Sequence, residues 1–123
     1  MNHSHVRLTI AFNDPNLDDA EQDAQTLISQ LEDLEDVETA RVPDPNPPAG
    51  NKAIGAIIFG LLTAEVSPAN FKKLAGFLGD RLGNKPIKLK VKAPDGRELE
   101  VEASSKEELD YALQKAQEFI KTS

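Results

Sequence analysis

The chain has no cysteine among its 123 residues. That excludes a disulfide framework and all thiolate chemistry. Its only histidines are His3 and His5. A Ser–His or Cys–His arrangement would have to recruit one of them from a short polar tail, residues 1–5, a poor place for a site needing sub-ångström order. His3 with a free amino terminus has the donors for Cu(II) or Ni(II). Chain termini collect such placements by accident, so no metal and no cofactor is expected. No uncharged apolar run approaches the roughly 20 residues of a membrane span. The first residues lack the charged-then-apolar order of a secretory leader, and a cytoplasmic protein is expected. There is no internal repeat, and 6–121 reads as one domain.

The net charge of −7 is unevenly placed. Residues 1–46 carry eleven acids against Arg7 and Arg41, whereas 47–123 carry ten acids against twelve bases. An acidic front half argues against nucleic acid, whose phosphates need clustered Lys and Arg. It suits a solvated helix or the steering of a basic partner. The acids Asp18, Asp19, Glu21 and Asp23 open a helical pattern, where the helix dipole favours negative charge. They lack the loop spacing and bend glycine of a calcium site.

Val6–Phe12 alternates strictly and predicts a strand with one buried face. Leu17, Ala20, Ala24, Leu27, Leu31 and Leu34 follow at steps of three and four, an apolar helical stripe. Asp36–Val42 predicts a second strand, parallel to the first across a right-handed β-α-β crossover. The four prolines of 43–52 exclude regular structure there. Ala49-Gly50-Asn51-Lys52 lacks the first glycine of a phosphate loop and has Ala53 where the hydroxyl should stand, so nucleotide binding is not expected.

The least polar stretch is Gly50–Leu82. Ile54, Ile57, Ile58, Leu61 and Leu62 recur at helical spacing and predict a helix apolar nearly all round, which must be covered by something. Gly55 and Gly60 weaken such a helix by roughly 1 kcal/mol each, a cost that close approach of another backbone offsets. Ser67-Pro68 starts a second helix with the inner stripe Phe71, Leu74, Ala75, Leu78 and Leu82, and Gly83 is placed to cap its end.

Residues 87–103 predict a hairpin turning at Pro94-Asp95-Gly96. Pairing Ala93 with Arg97 sets Lys92 opposite Glu98, Lys90 opposite Glu100 and Lys88 opposite Glu102, each pair worth roughly 0.2–1 kcal/mol. The lysine row is thereby neutralised within the hairpin. Ser104 or Ser105 with Glu107 or Glu108 forms a capping box for a last helix. Its stripe is Leu109, Ala112, Leu113, Ala116, Phe119 and Ile120, with Tyr111 outside it. The expected fold is α+β: two layers, a four-stranded mixed sheet with helices packed on it, in the order β-α-β-α-α-β-β-α.

In the order and wording of its segments the chain resembles the effector-associated constant components, small bacterial domains linked to conflict and defence systems. The likeness rests on the VRLTI strand, the acidic helix ending LEDLEDVETARV and the Pro47-Pro48-Ala49-Gly50-Asn51-Lys52 turn. The AIGAIIFGLL segment, the Asp95-Gly96 hairpin and the Ser-led terminal helix complete it. It covers about Val6 to Ile120. The aromatic and arginine cluster common after the second helix in such domains is replaced here by Phe77-Leu78-Gly79-Asp80-Arg81-Leu82.

The resemblance implies a non-enzymatic adaptor that couples a sensor to an effector such as a peptidase or ATPase, with a protein encoded nearby as partner. It points to Pro48, Gly50 and Lys52 as partner contacts, and Lys72 and Lys73 extend that surface. Self-association through the apolar helix is compatible with this role. The alternative is a small-ligand domain with an apolar pocket under the central helices, where Gly55 and Gly60 make room.

Overall fold

The computed structural model describes residues 5–45 and 57–121. In chain order the elements are β1 (Val6–Phe12), α1 (Leu17–Leu31), β2 (Val37–Pro43), β3 (Ile57–Val66), α2 (Pro68–Leu82), β4 (Ile87–Lys92), β5 (Glu98–Ala103) and α3 (Lys106–Lys121). The fold is α+β, with one five-stranded sheet in the order β2-β3-β1-β4-β5. Every neighbouring pair is antiparallel.

Three expectations are corrected. The sheet has five strands rather than four, and it is antiparallel rather than mixed. From Ile57 onward the expected apolar helix is the strand β3, so the order is β-α-β-β-α-β-β-α. The physical reason is position. β3 lies between β2 and β1, whose edges supply partners for the backbone N–H and C=O groups on both sides of an extended segment. A short apolar run satisfies helical spacing as well as strand spacing. The β-branched Ile57, Ile58, Thr63 and Val66, together with Phe59, favour the strand. The alternation is visible in its second half, where Leu62, Ala64 and Val66 are buried and Thr63 and Glu65 only partly so.

The third correction concerns the crossover. β1 and β2 do run in the same direction, but β3 is inserted between them. Likewise β1 separates β3 from β4. Two split β-α-β units thus interleave, the ferredoxin-like arrangement. The β4–β5 hairpin and α3 extend it at one edge.

All three helices contribute to one core on one face of the sheet. From the strands it takes Val6, Leu8, Ile10, Phe12, Leu62, Ala64, Val66, Ile87, Leu89 and Val91. The helices add Ala20, Ala24, Leu27 and Leu31 of α1, the predicted α2 stripe, and Leu109, Leu113, Ala116 and Ile120 of α3. Leu17, expected to head the α1 stripe, is instead 64% exposed. Phe119, expected in the α3 stripe, is half-buried under the Arg97 guanidinium, 4.6 Å from the ring centre.

Ends of elements follow local chemistry. Asn16 Oδ1 accepts from the N–H groups of Asp18 and Asp19 at 2.9 and 3.1 Å, capping α1. Ser105 Oγ accepts from the Glu108 N–H at 3.2 Å, while the Glu108 carboxylate accepts from Ser104 N–H at 2.8 Å. That is a capping box stretched by one residue. Ser67 precedes Pro68 as expected, but its hydroxyl donates to Asp36 Oδ2 at 2.6 Å rather than capping α2 itself. Gly83 ends α2 in a right-handed conformation, not the left-handed one that a glycine cap usually supplies.

The hairpin matches its predicted register at every pair, Ile87 with Ala103 through Lys92 with Glu98. Ala93 N–H donates to the Arg97 carbonyl at 2.8 Å, and Gly96 takes φ of 95°.

Candidate functional site

A buried charge cluster shapes the start of β3. Glu21 of α1 faces inward and is 7% exposed. Arg41 of β2 grips its carboxylate with both terminal guanidinium nitrogens, Nη1 to Oε2 at 2.7 Å and Nη2 to Oε1. Gly60 N–H donates to Oε1 at 3.0 Å and Gln25 Nε2 to Oε2 at 3.0 Å. Arg41 Nε donates to the Leu61 carbonyl at 3.3 Å. The forked Arg41 contact is the main reason the Glu21 carboxyl is held down at about 2; burial opposes it, and the Gly60 and Gln25 donors add to it.

This cluster accounts for an irregularity in the ladder. Between the pairs Arg41–Leu62 and Pro43–Ile57, two steps along β2 are matched by five along β3. The surplus forms a bulge around Gly60, whose φ of 75° suits glycine. A Cβ at Gly60 would lie 2.9 Å from the Ala20 Cβ. The close approach that the sequence suggested for Gly60 is therefore present, made by α1 onto a strand. Within the bulge Phe59 is 48% exposed.

The other face of the sheet carries no helix among the described residues. The register lays its side chains in rows. One row reads Glu38, Glu65, Arg7, Lys92 and Glu98; the next Ala40, Thr63, Thr9, Lys90 and Glu100; the third Leu61, Ala11, Lys88 and Glu102. Arg7 pairs with Glu65 at 2.7 Å, Lys90 with Glu98 at 3.4 Å, and Lys88 reaches both Glu100 and Glu102 at 3.9 Å. Two of these contacts run diagonally rather than straight across. The face thus grades from charged at the Arg7 end to apolar at Leu61 and Ala11, beside the Phe59 bulge.

The predicted contact residues fall in different places. Pro48, Gly50 and Lys52, with the Pro-rich segment after Pro45 and Ile54 and Gly55, lie outside the described residues. Lys72 and Lys73 are exposed on α2, in the helical layer. Lys73 borders a groove with Asp33, Leu34, Glu35 and Asn70, and Lys72 one between α2 and α3. The chain enters β3 at the opposite end of the sheet from the start of α2, so the lysines do not join the Phe59 corner in one patch. The segment Ile57–Leu62, expected to roof an apolar pocket, is a strand of the sheet. Among the described residues no group of three or more His, Asp or Glu is placed to hold a metal ion, and no helix is long and apolar enough to cross a membrane.

Sequence reasoning missed the Glu21–Arg41 clamp. A signal was present: Arg41 shares parity with Val37 and Thr39 on the inward face of β2, and Glu21 stands next to Ala20 on the α1 stripe. An acid and a base at inward positions of consecutive elements mark a buried pair.

Comparison of the chain with protein-family models, with curated proteins and with solved structures finds no match in any of the three.

Proposed function

We propose that the protein is a non-enzymatic interaction module of the cytoplasm, an adaptor that couples a sensor to an effector in a bacterial conflict system. One observation carries the reading: among the described residues a five-stranded sheet has helices on one face only, and its other face is apolar at Leu61 and Ala11 beside an exposed Phe59. A rigid sheet of this kind offers an aromatic anchor and an ordered set of charges to a protein partner. The Glu21 clamp supports it by fixing the bulge that presents Phe59. Lys72 and Lys73 belong to a separate surface in this reading, open to a second contact.

The test is a titration of the purified chain against the proteins encoded beside it. Phe59→Ser with Leu61→Ser is expected to weaken binding by at least about tenfold, the scale of one lost hot spot. Tyr111→Ser, on the exposed side of α3, is expected to leave binding unchanged. Equal affinity for all three chains would remove the sheet face from the contact.

A further inference from the structure

Two features lie at opposite ends of the helical layer. The first is Leu17. It opens α1, yet the buried stripe begins only at Ala20, and Leu17 stands 64% exposed. Asp14, Asp18 and Asp19 flank it. The turn beneath it is fixed: Asn16 N–H donates to Asp14 Oδ1 at 2.9 Å, and Asn16 Oδ1 takes the next two amides. An aliphatic side chain is therefore held exposed in an acidic stretch of the chain. Asp18 and Asp19 make no ion pair among the described residues.

The second is the groove between α2 and α3. The helices run antiparallel, with Gly83 against Lys106, Gly79 against Asp110 and Leu113, and Phe71 near Ile120. At the Phe71 end they leave a groove of about 130 Å³ lined by Pro68, Lys72, Gln117 and Lys121 and by the nearly buried Phe71 and Ile120. That volume is close to the roughly 150 Å³ cavity that takes a benzene ring, enough for one leucine side chain. Lys72 and Lys121 stand on different helices across it, and neither makes an ion pair among the described residues. In a chain of net charge −7 this is a local reversal of sign.

We propose that a second copy of this chain is the occupant: Leu17 of one copy seats on Phe71 and Ile120 of the next, with Asp18 and Asp19 against Lys72 and Lys121. A copy cannot fill its own groove. β1 runs from the Val6–Val66 end of the sheet to the Phe12–Ile87 end; α1 begins beyond Phe12 and α2 just after Val66. The 15-residue helices spanning the layer separate the two features by roughly 20 Å. The contact is therefore heterologous and propagates head to tail, closing only if the rotation between copies allows a ring. Its small size makes it weak and salt-sensitive. It is independent of the adaptor role, which uses the sheet face.

Sedimentation of the full chain tests it, from about 10 µM to about 1 mM, the range of a weak interface. The average mass is expected to climb continuously above 13.4 kDa and to fall back in high salt. Leu17→Ser with Asp18→Asn and Asp19→Asn removes the projection without creating a new charge pair; Lys72→Glu with Lys121→Glu removes the receiving charge. Each variant alone is expected to stay monomeric, with an unchanged circular dichroism spectrum because every altered residue lies at the surface. Mixed, they are expected to form a one-to-one dimer and nothing larger, since one intact projection meets one intact groove. A monomer at every concentration overturns the proposal. So does assembly that either variant leaves intact, or a mixture that stays monomeric.

Discussion

Replacing Glu21 with Gln keeps the size of the side chain and removes its charge. In the folded protein the Glu21 carboxyl titrates at about 2 against an ordinary 4.5, chiefly because Arg41 binds the ionised form. At 1.36 kcal/mol per unit, that difference links to about 3 kcal/mol of folding stability. The folded value is the lower one. The contribution is therefore complete above about pH 4.5 and is withdrawn as pH falls toward 2. Glu21→Gln has no such proton to take up. Near neutrality it leaves the half-buried Arg41 facing an amide and is expected to cost roughly 2–4 kcal/mol. Between about pH 6 and about pH 2.5 its stability is expected to fall less steeply than that of the parent chain, closing most of the gap. Other carboxylates with lowered values, Asp36, Asp95 and Glu108, titrate in both proteins and cancel in the comparison. The assay is urea unfolding followed by circular dichroism at several pH values. Replacing both partners, Glu21→Met with Arg41→Met, leaves no unpaired charge buried but takes the acceptor from the Gly60 N–H, and is expected to recover only part of the loss. Parallel stability–pH curves for the parent and Glu21→Gln would refute the reasoning.

The bulge and the last helix offer two further checks. Gly60→Ala meets both a left-handed backbone and the Ala20 Cβ at 2.9 Å, and is expected to cost roughly 2–4 kcal/mol in thermal or urea unfolding. Gly96→Ala has the same backbone penalty in open space and is expected to cost only about 1 kcal/mol, so equal losses would remove α1 as the cause. Ser105→Ala frees the Glu108 N–H that caps α3 and is expected to cost about 1 kcal/mol, with Ser105→Asp restoring most of it.

What the chain determines by itself is whatever a few neighbouring residues decide. The β4–β5 register is legible pair by pair, because a three-residue turn with Gly96 at its left-handed position admits one alignment of two alternating arms. The buried stripe of α2 and the caps at Asn16 and Ser105 are local in the same sense. Tertiary structure alone decided that Ile57–Val66 is a strand. Its partners on β1 lie 50 to 60 positions away and those on β2 14 to 29, and only their edges make an apolar run extended rather than helical. The same docking brought Arg41 onto Glu21 and left Leu17 outside the core. Pairings between distant segments depend on which sheet edge is vacant when they meet, and no window of sequence carries that information.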